Sequence, residues 1–131
     1  MPIEYDIIVD KQLVLAKGSG VITGNDVIKH LNSLAADHRY RAPMKKLVDY
    51  RSIESIDISP EEARNIVQVK QAHIDAFHGE RCAFISPKDL TYGTSRVHQT
   101  LVESIGIDTV VLRRIKDALE WLDVTLDMDL A

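Results

Sequence analysis

One cysteine in 131 residues, Cys82, leaves no second thiol for an internal disulfide. The chain also lacks a cationic excess. Its 16 Lys and Arg stand against 20 Asp and Glu, a net charge of -4. General nucleic-acid binding needs many unopposed cations to displace counterions, so that function is not expected. No apolar run approaches the roughly 18 residues of a membrane span. Glu4, Asp6, Asp10 and Lys11 break up the first stretch, so a secretory leader with a clean apolar centre is not expected. Together these absences set the expectation of a cytoplasmic protein. No repeat, low-complexity segment or linker divides the sequence. Its length suits one domain over residues 1–131, with 123–131 expected to fray.

Catalytic motifs are missing as well. There is no Gly-x-Ser-x-Gly, no Walker loop and no dinucleotide fingerprint. Gly18-Ser19-Gly20 follows a strand, but the third glycine is not where that fingerprint needs it. His30, His38, His73, His78 and His98 form no pair at four-residue spacing, and no Cys/His cluster has zinc spacing. No metal and no cofactor are therefore expected. Cys82, beside Ala83 and Phe84, reads as a small buried hydrophobe rather than a nucleophile.

What the chain does hold is an alternation of strand and helix signals. Tyr5 to Val9 and Gln12 to Lys17 read as a hairpin closed by Asp10-Lys11, with Gly18 and Gly20 loosening the second strand. Thr23 caps a helix with Asp26 in its first turn, and Val27, Ile28, Leu31, Leu34 and Ala35 form its apolar stripe. Lys45 to Arg51 is the third strand. Ser59-Pro60-Glu61-Glu62 supplies an N-cap, a first-turn proline and a capping-box glutamate. That helix is expected to run to about His78, where Gly79 stops it. Lys70 interrupts its stripe of Ala63, Ile66, Val67, Ile74 and Phe77, and is expected to snorkel to the edge. Arg81 to Ile85 is the fourth strand. A helix then runs from Asp89 or Thr94 to Ile105, Asp108 to Arg113 is the fifth strand, and Ile115 to Leu122 is the last helix. Trp121 is expected to anchor that helix on the sheet. The pattern argues for an α/β fold with a mixed, mostly parallel five-stranded sheet, about four helices and an antiparallel first strand at or near an edge.

Charged and small polar residues collect where the strands end. Leu47-Val48 runs into Asp49-Tyr50-Arg51, Cys82-Ala83-Phe84-Ile85 into Ser86-Pro87-Lys88-Asp89, and Val110-Val111-Leu112 into Arg113-Arg114. Open α/β sheets bind ligands beyond the carboxyl ends of their strands. Asp49 and Arg51, two apart on a strand, point to one side. Tyr92 and Arg96, four apart, share a helix face, with Gly93 between them. A guanidinium on that rim could hold a carboxylate or phosphate at two points. The plainer reading is an Asp49–Arg96 ion pair that fixes loops.

In order and spacing, several pieces of the chain resemble a SpoIIAA-like or STAS-like domain of the small single-domain bacterial kind. They are the opening hairpin, Gly20-Val21-Ile22-Thr23, Leu47-Val48-Asp49-Tyr50-Arg51, the stretch from Pro87 to Arg96, and Ala118-Leu119-Glu120-Trp121-Leu122. The resemblance implies a superhelix of β-α turns and is similar in its turns to the Sec14-type lipid-binding fold. The best-known members are anti-sigma-factor antagonists, with a phosphorylated serine after the third strand in an Asp-x-Ser pattern. Matching that pattern to Asp49-Tyr50-Arg51 puts Arg51 in the serine's place, which argues against a phosphorylation switch. Ser52, Ser55 and Ser59 follow nearby.

Three readings of function result. The favoured one is a non-enzymatic regulatory module holding a small anionic or amphipathic, lipid-like ligand at the rim through Asp49, Arg51, Lys88, Tyr92 and Arg96. The second is a homodimeric protein–protein interaction domain without a ligand. The third is an enzyme, for which nothing supplies a nucleophile or a cofactor.

Overall fold

A computed structural model describes residues 2–86 and 108–126. The expected helix between the fourth and fifth strands, and with it Lys88, Tyr92 and Arg96, lies outside the described residues. Strand β1 (Ile3–Ile8) turns through a single 3-10 turn (Val9–Lys11) into β2 (Leu13–Thr23). Helix α1 (Gly24–Ala36), strand β3 (Lys45–Asp57), helices α2 (Pro60–Ala72) and α3 (Ile74–Phe77), and strand β4 (Arg81–Ile85) follow. Strand β5 (Asp108–Leu112) and helix α4 (Ile115–Leu122) complete the order. The five strands lie side by side in chain order. β1 is antiparallel to β2 at one edge, and every later pair is parallel. The expected mixed, mostly parallel sheet is therefore present, with four α-helices among the described residues.

Both expected N-caps are present. The Asp26 and Glu62 N–H groups donate to the Thr23 and Ser59 hydroxyls, and each acidic side chain accepts the cap residue's own N–H. Each box satisfies backbone donors that the first helical turn leaves open.

Four expectations need correction. The first turn is not a two-residue Asp10-Lys11 loop: Gln12 adopts a left-handed φ of 49° and closes it on the Val9 carbonyl. Gly18 and Gly20 do not end β2. A β-carbon on Gly18 would lie 2.7 Å from the Tyr50 ring, and Gly20, at φ 65°, sits at a register shift. The glycines thus let β2 pass under an aromatic ring and continue. β3 does not stop at Arg51 but runs six residues further, paired with β2 as far as Thr23↔Asp57. α2 does not reach His78. It ends at Ala72, and a short α3 restarts from His73, which brings Phe77 into the core edge-on to Tyr40.

The sheet is covered on both faces, unequally. Leu13, Leu47, Ala83 and Ile85 pack with Ala118 and Leu122 of α4, and half-buried Trp121 joins them with the Arg81 guanidinium 4.2 Å above its ring. Trp121 thus helps hold α4 on the sheet, as expected. The opposite face carries α1 and α2 over Ile7, Val14, Val48, Tyr50, Cys82 and Phe84.

Candidate functional site

At the carboxyl end of β4, Asp49 and Arg51 meet. Asp49 stands in register with Ile85, the last residue of that strand. The Arg51 Nε and Nη2 groups donate to the two Asp49 carboxylate oxygens at 3.0 and 2.9 Å, and the Arg51 backbone N–H adds a third bond at 3.0 Å. Burial works against the charged form of Asp49, but the guanidinium bonds outweigh it and hold the carboxyl below its ordinary range. The expectation that these side chains share one side is met. The observed partner of Asp49 is Arg51, so the carboxylate of the rim pair is already engaged.

Farther along, β2 and β3 continue past β4 as a two-stranded ribbon, and both α1 and α2 start at its tip. The two helix starts touch: a β-carbon on Gly24 would lie 2.8 Å from a Glu62 carboxylate oxygen. Ser59 is the exposed last residue before α2. Because β3 ends at Asp57, the Asp-x-Ser spacing after the third strand falls on Asp57-Ile58-Ser59, and not on Asp49-Tyr50-Arg51. The earlier match placed the pattern in mid-strand. Polar Ser52, Glu54 and Ser55 had hidden the strand's second half.

A second group of chemically notable residues was not brought together by the sequence, which singled out Cys82 and Lys70 separately and passed over Lys46, Glu80 and Thr109. Val14, Lys46, Cys82 and Thr109 are aligned across β2 to β5 on the face under α1 and α2. Lys46 is 3% exposed and Lys70 only 2%, so Lys70 does not snorkel to the edge. Among the described residues Glu80, 1% exposed, is the only buried carboxylate. The Tyr40 hydroxyl donates to its Oε2, and its Oε1 has no hydrogen-bond partner. His30 of α1 is 7% exposed, edge-on to Tyr5, with no partner for either ring nitrogen. Burial, reinforced by the charges of Lys46 and Lys70, holds His30 down to about 2. Burial also lowers Lys46, partly opposed by Glu80, and raises the Cys82 thiol to about 11. Cys82 is thus an inert core thiol, as expected. The signal for this layer was periodicity: Lys70 keeps the helical spacing of Ala63, Ile66 and Phe77, and Lys46 the alternation of Val48 and Tyr50.

A cleft of about 130 Å³ lies between β1 and the start of α1, lined by Ile3, Tyr5, Asp26, Lys29, His30 and Ser33 among others. Among the described residues no group of three or more His, Cys, Asp or Glu could hold a metal ion, and no helix is long and apolar enough to cross a membrane.

No protein-family model matches the sequence, and no curated protein is significantly similar to it. Solved structures are similar over nearly the whole chain. An uncharacterised DUF3478-family protein with a SpoIIAA-like fold from Shewanella loihica aligns with a TM-score of 0.60 and 20% identity, covering 92% of this chain and 93% of that one. The anti-sigma factor antagonist SpoIIAA in its unphosphorylated form aligns at 0.55 and 12% identity, over 92% and 97%. A protein of Thermotoga maritima provisionally assigned as an anti-sigma factor antagonist aligns at 0.53 and 16%, over 92% and 93%. The chain has the SpoIIAA-like fold.

Proposed function

We propose that this protein is a non-catalytic regulatory module that binds a partner protein at the tip of the β2–β3 ribbon. The observation that carries this reading is the Asp57-Ile58-Ser59 junction at the start of α2, with Asp57 and Ser59 exposed on either side of a half-buried Ile58. It stands where the resemblance to anti-sigma-factor antagonists puts the phosphorylated serine. A phosphate on Ser59 would lie at a helix N-terminus, where the dipole favours negative charge. Here, however, Pro60 offers no N–H, and Glu62 already accepts the Ser59 N–H. A dianion on Ser59 would repel Glu62 and undo the capping box. Glu62 packs against Gly24, so the disturbance reaches the start of α1. Phosphorylation would then change the shape of the tip, and partner affinity with it.

A second reading keeps the Asp49–Arg51 pair as its basis. A rigid carboxylate–guanidinium fork at the end of β4 is a platform for a small anionic or amphipathic ligand, with Lys88, Tyr92 and Arg96 as further contacts. A homodimer without ligand is the remaining alternative.

Native mass spectrometry of the protein recovered from its own host separates these readings. A second polypeptide at fixed stoichiometry, lost when Ser59 is phosphorylated or replaced by Asp, supports the partner-binding module. A small mass lost on denaturation, and absent from the Arg51→Ala variant, supports the rim ligand. Twice the chain mass supports the homodimer. A bare monomer with Ser59 unmodified under every growth condition rejects all three.

A further inference from the structure

His30 is 7% exposed, at a cleft it lines with Tyr5, Asp26, Lys29 and Ser33, and neither ring nitrogen has a hydrogen-bond partner. Tyr5 of β1 meets it edge-on, with ring centroids 5.4 Å apart, and the Tyr5 hydroxyl already donates to Asp37 at 2.9 Å. Lys46 of β3 and Lys70 of α2 act on the ring with positive charge. On its own helix, Asp26 is bonded through its Oδ2 to the Thr23 N–H and hydroxyl, and Lys29 is a further cation. Glu80, the one buried carboxylate among the described residues, is bonded by Tyr40 and already acts on the Lys46 ammonium. Both ring nitrogens are orphaned, and few buried polar groups in native proteins are.

We propose that His30 is an acid-sensitive latch: neutral, it lets α1 lie on the sheet, and protonated, it drives α1 off the face formed by β1, β2 and β3. The latch is independent of what binds at the ribbon tip.

The sign follows from proton linkage. Released from the sheet, the ring recovers its ordinary value of 6.5, whereas in place it is held at about 2. The released form therefore binds the proton more tightly. The docked form is fully favoured above about pH 6.5 and loses ground as pH falls below it, by about tenfold in the opening constant per pH unit. A docked helix with an unpartnered ring resists protonation. A lifted helix carries the charged ring into water.

Two measurements on the full chain test this. The first is hydrogen exchange of the α1 amides, corrected for intrinsic rates, from about pH 6.5 to about pH 5. In the wild type the opening constant of residues 24–36 should rise about fifteenfold, ahead of the β2 and β3 amides. In His30→Leu it should stay flat. Equal pH dependence in both proteins, or α1 and sheet amides opening together, overturns the latch. The second is the ring-nitrogen NMR titration of His30 in the wild type, which decides the matter even if His30→Leu does not fold. A ring that stays neutral until the α1 amides open supports the latch. A ring that titrates near 6.5 in the intact fold overturns it.

Discussion

The two faces of one sheet are built on different principles. Under α4, six buried apolar side chains meet, and polar groups stay at the margin: Lys45 donates to the Asp123 carbonyl, and Arg81 lies between Asp108 and Trp121. Under α1 and α2, the same strands carry Lys46, Cys82 and Thr109, closed over by His30 and Lys70 with Glu80 and Tyr40 beside them. Four of the five orphaned side-chain atoms among the described residues belong to this second face: both His30 nitrogens, Glu80 Oε1 and Thr109 Oγ1. An apolar face is held by contact area and is indifferent to pH. A face with buried charges is held by charge balance, and changing one member unbalances the others. The comparison teaches that the sheet's stability is local in kind as well as in amount.

The largest test of that contrast removes the carboxylate. Glu80→Ala leaves the buried Lys46 without its counter-charge and Tyr40 without an acceptor, and should cost about 4 kcal/mol in urea unfolding. Adding Lys46→Met should recover part of that loss, which no simple cavity would allow. On the other face, Leu122→Ala should cost about 3 kcal/mol through transfer and cavity effects. Its cost should be equal at pH 5 and pH 7 by the same measurement. Gly18→Ala, on the face under α1 and α2, drives a methyl group into the Tyr50 ring. It should cost about 2 kcal/mol and be visible as a lowered midpoint in thermal melting. The smallest effect belongs to the ribbon tip. Ser59→Ala should cost about 1 kcal/mol through the lost cap and leave both faces unchanged in hydrogen exchange beyond the first turn of α2.

How much of this was legible in the chain follows the same division. The apolar face was readable because its residues obey their chemistry: Ala83 and Ile85 alternate inward, and Ala118 and Leu122 recur at helical spacing. The caps were readable because Thr23 with Asp26, and Ser59 with Glu62, need only three-residue spacing and no tertiary context. The charged face was obscured by the usual rule that Lys and Glu stay in water. Lys70 occupied a core position on α2, yet its charge argued for the surface. Lys46 alternated correctly with Val48, yet it opened the strand and read as an end. Glu80 lay one residue outside β4 and carried no periodic signal. The length of β3 was lost for a different reason. Register shifts opposite Ser19 and Gly20 break the two-residue alternation, so Ser52, Glu54 and Ser55 looked like a loop. That error also misplaced the Asp-x-Ser junction, because the rim was sought six residues too early.

Spatial order equal to chain order has a consequence for how the molecule is made. No strand must be threaded between two that are already in place. As the chain leaves the ribosome, each new strand can join the last one formed, and β1 to β3 can be laid down before β4 exists. Lys46 would then wait on the growing border of the sheet, in water, until Glu80 emerges more than thirty residues later and the charge balance can close. Synthesis rate past β3 thus sets how long a lysine-bearing border stays uncovered.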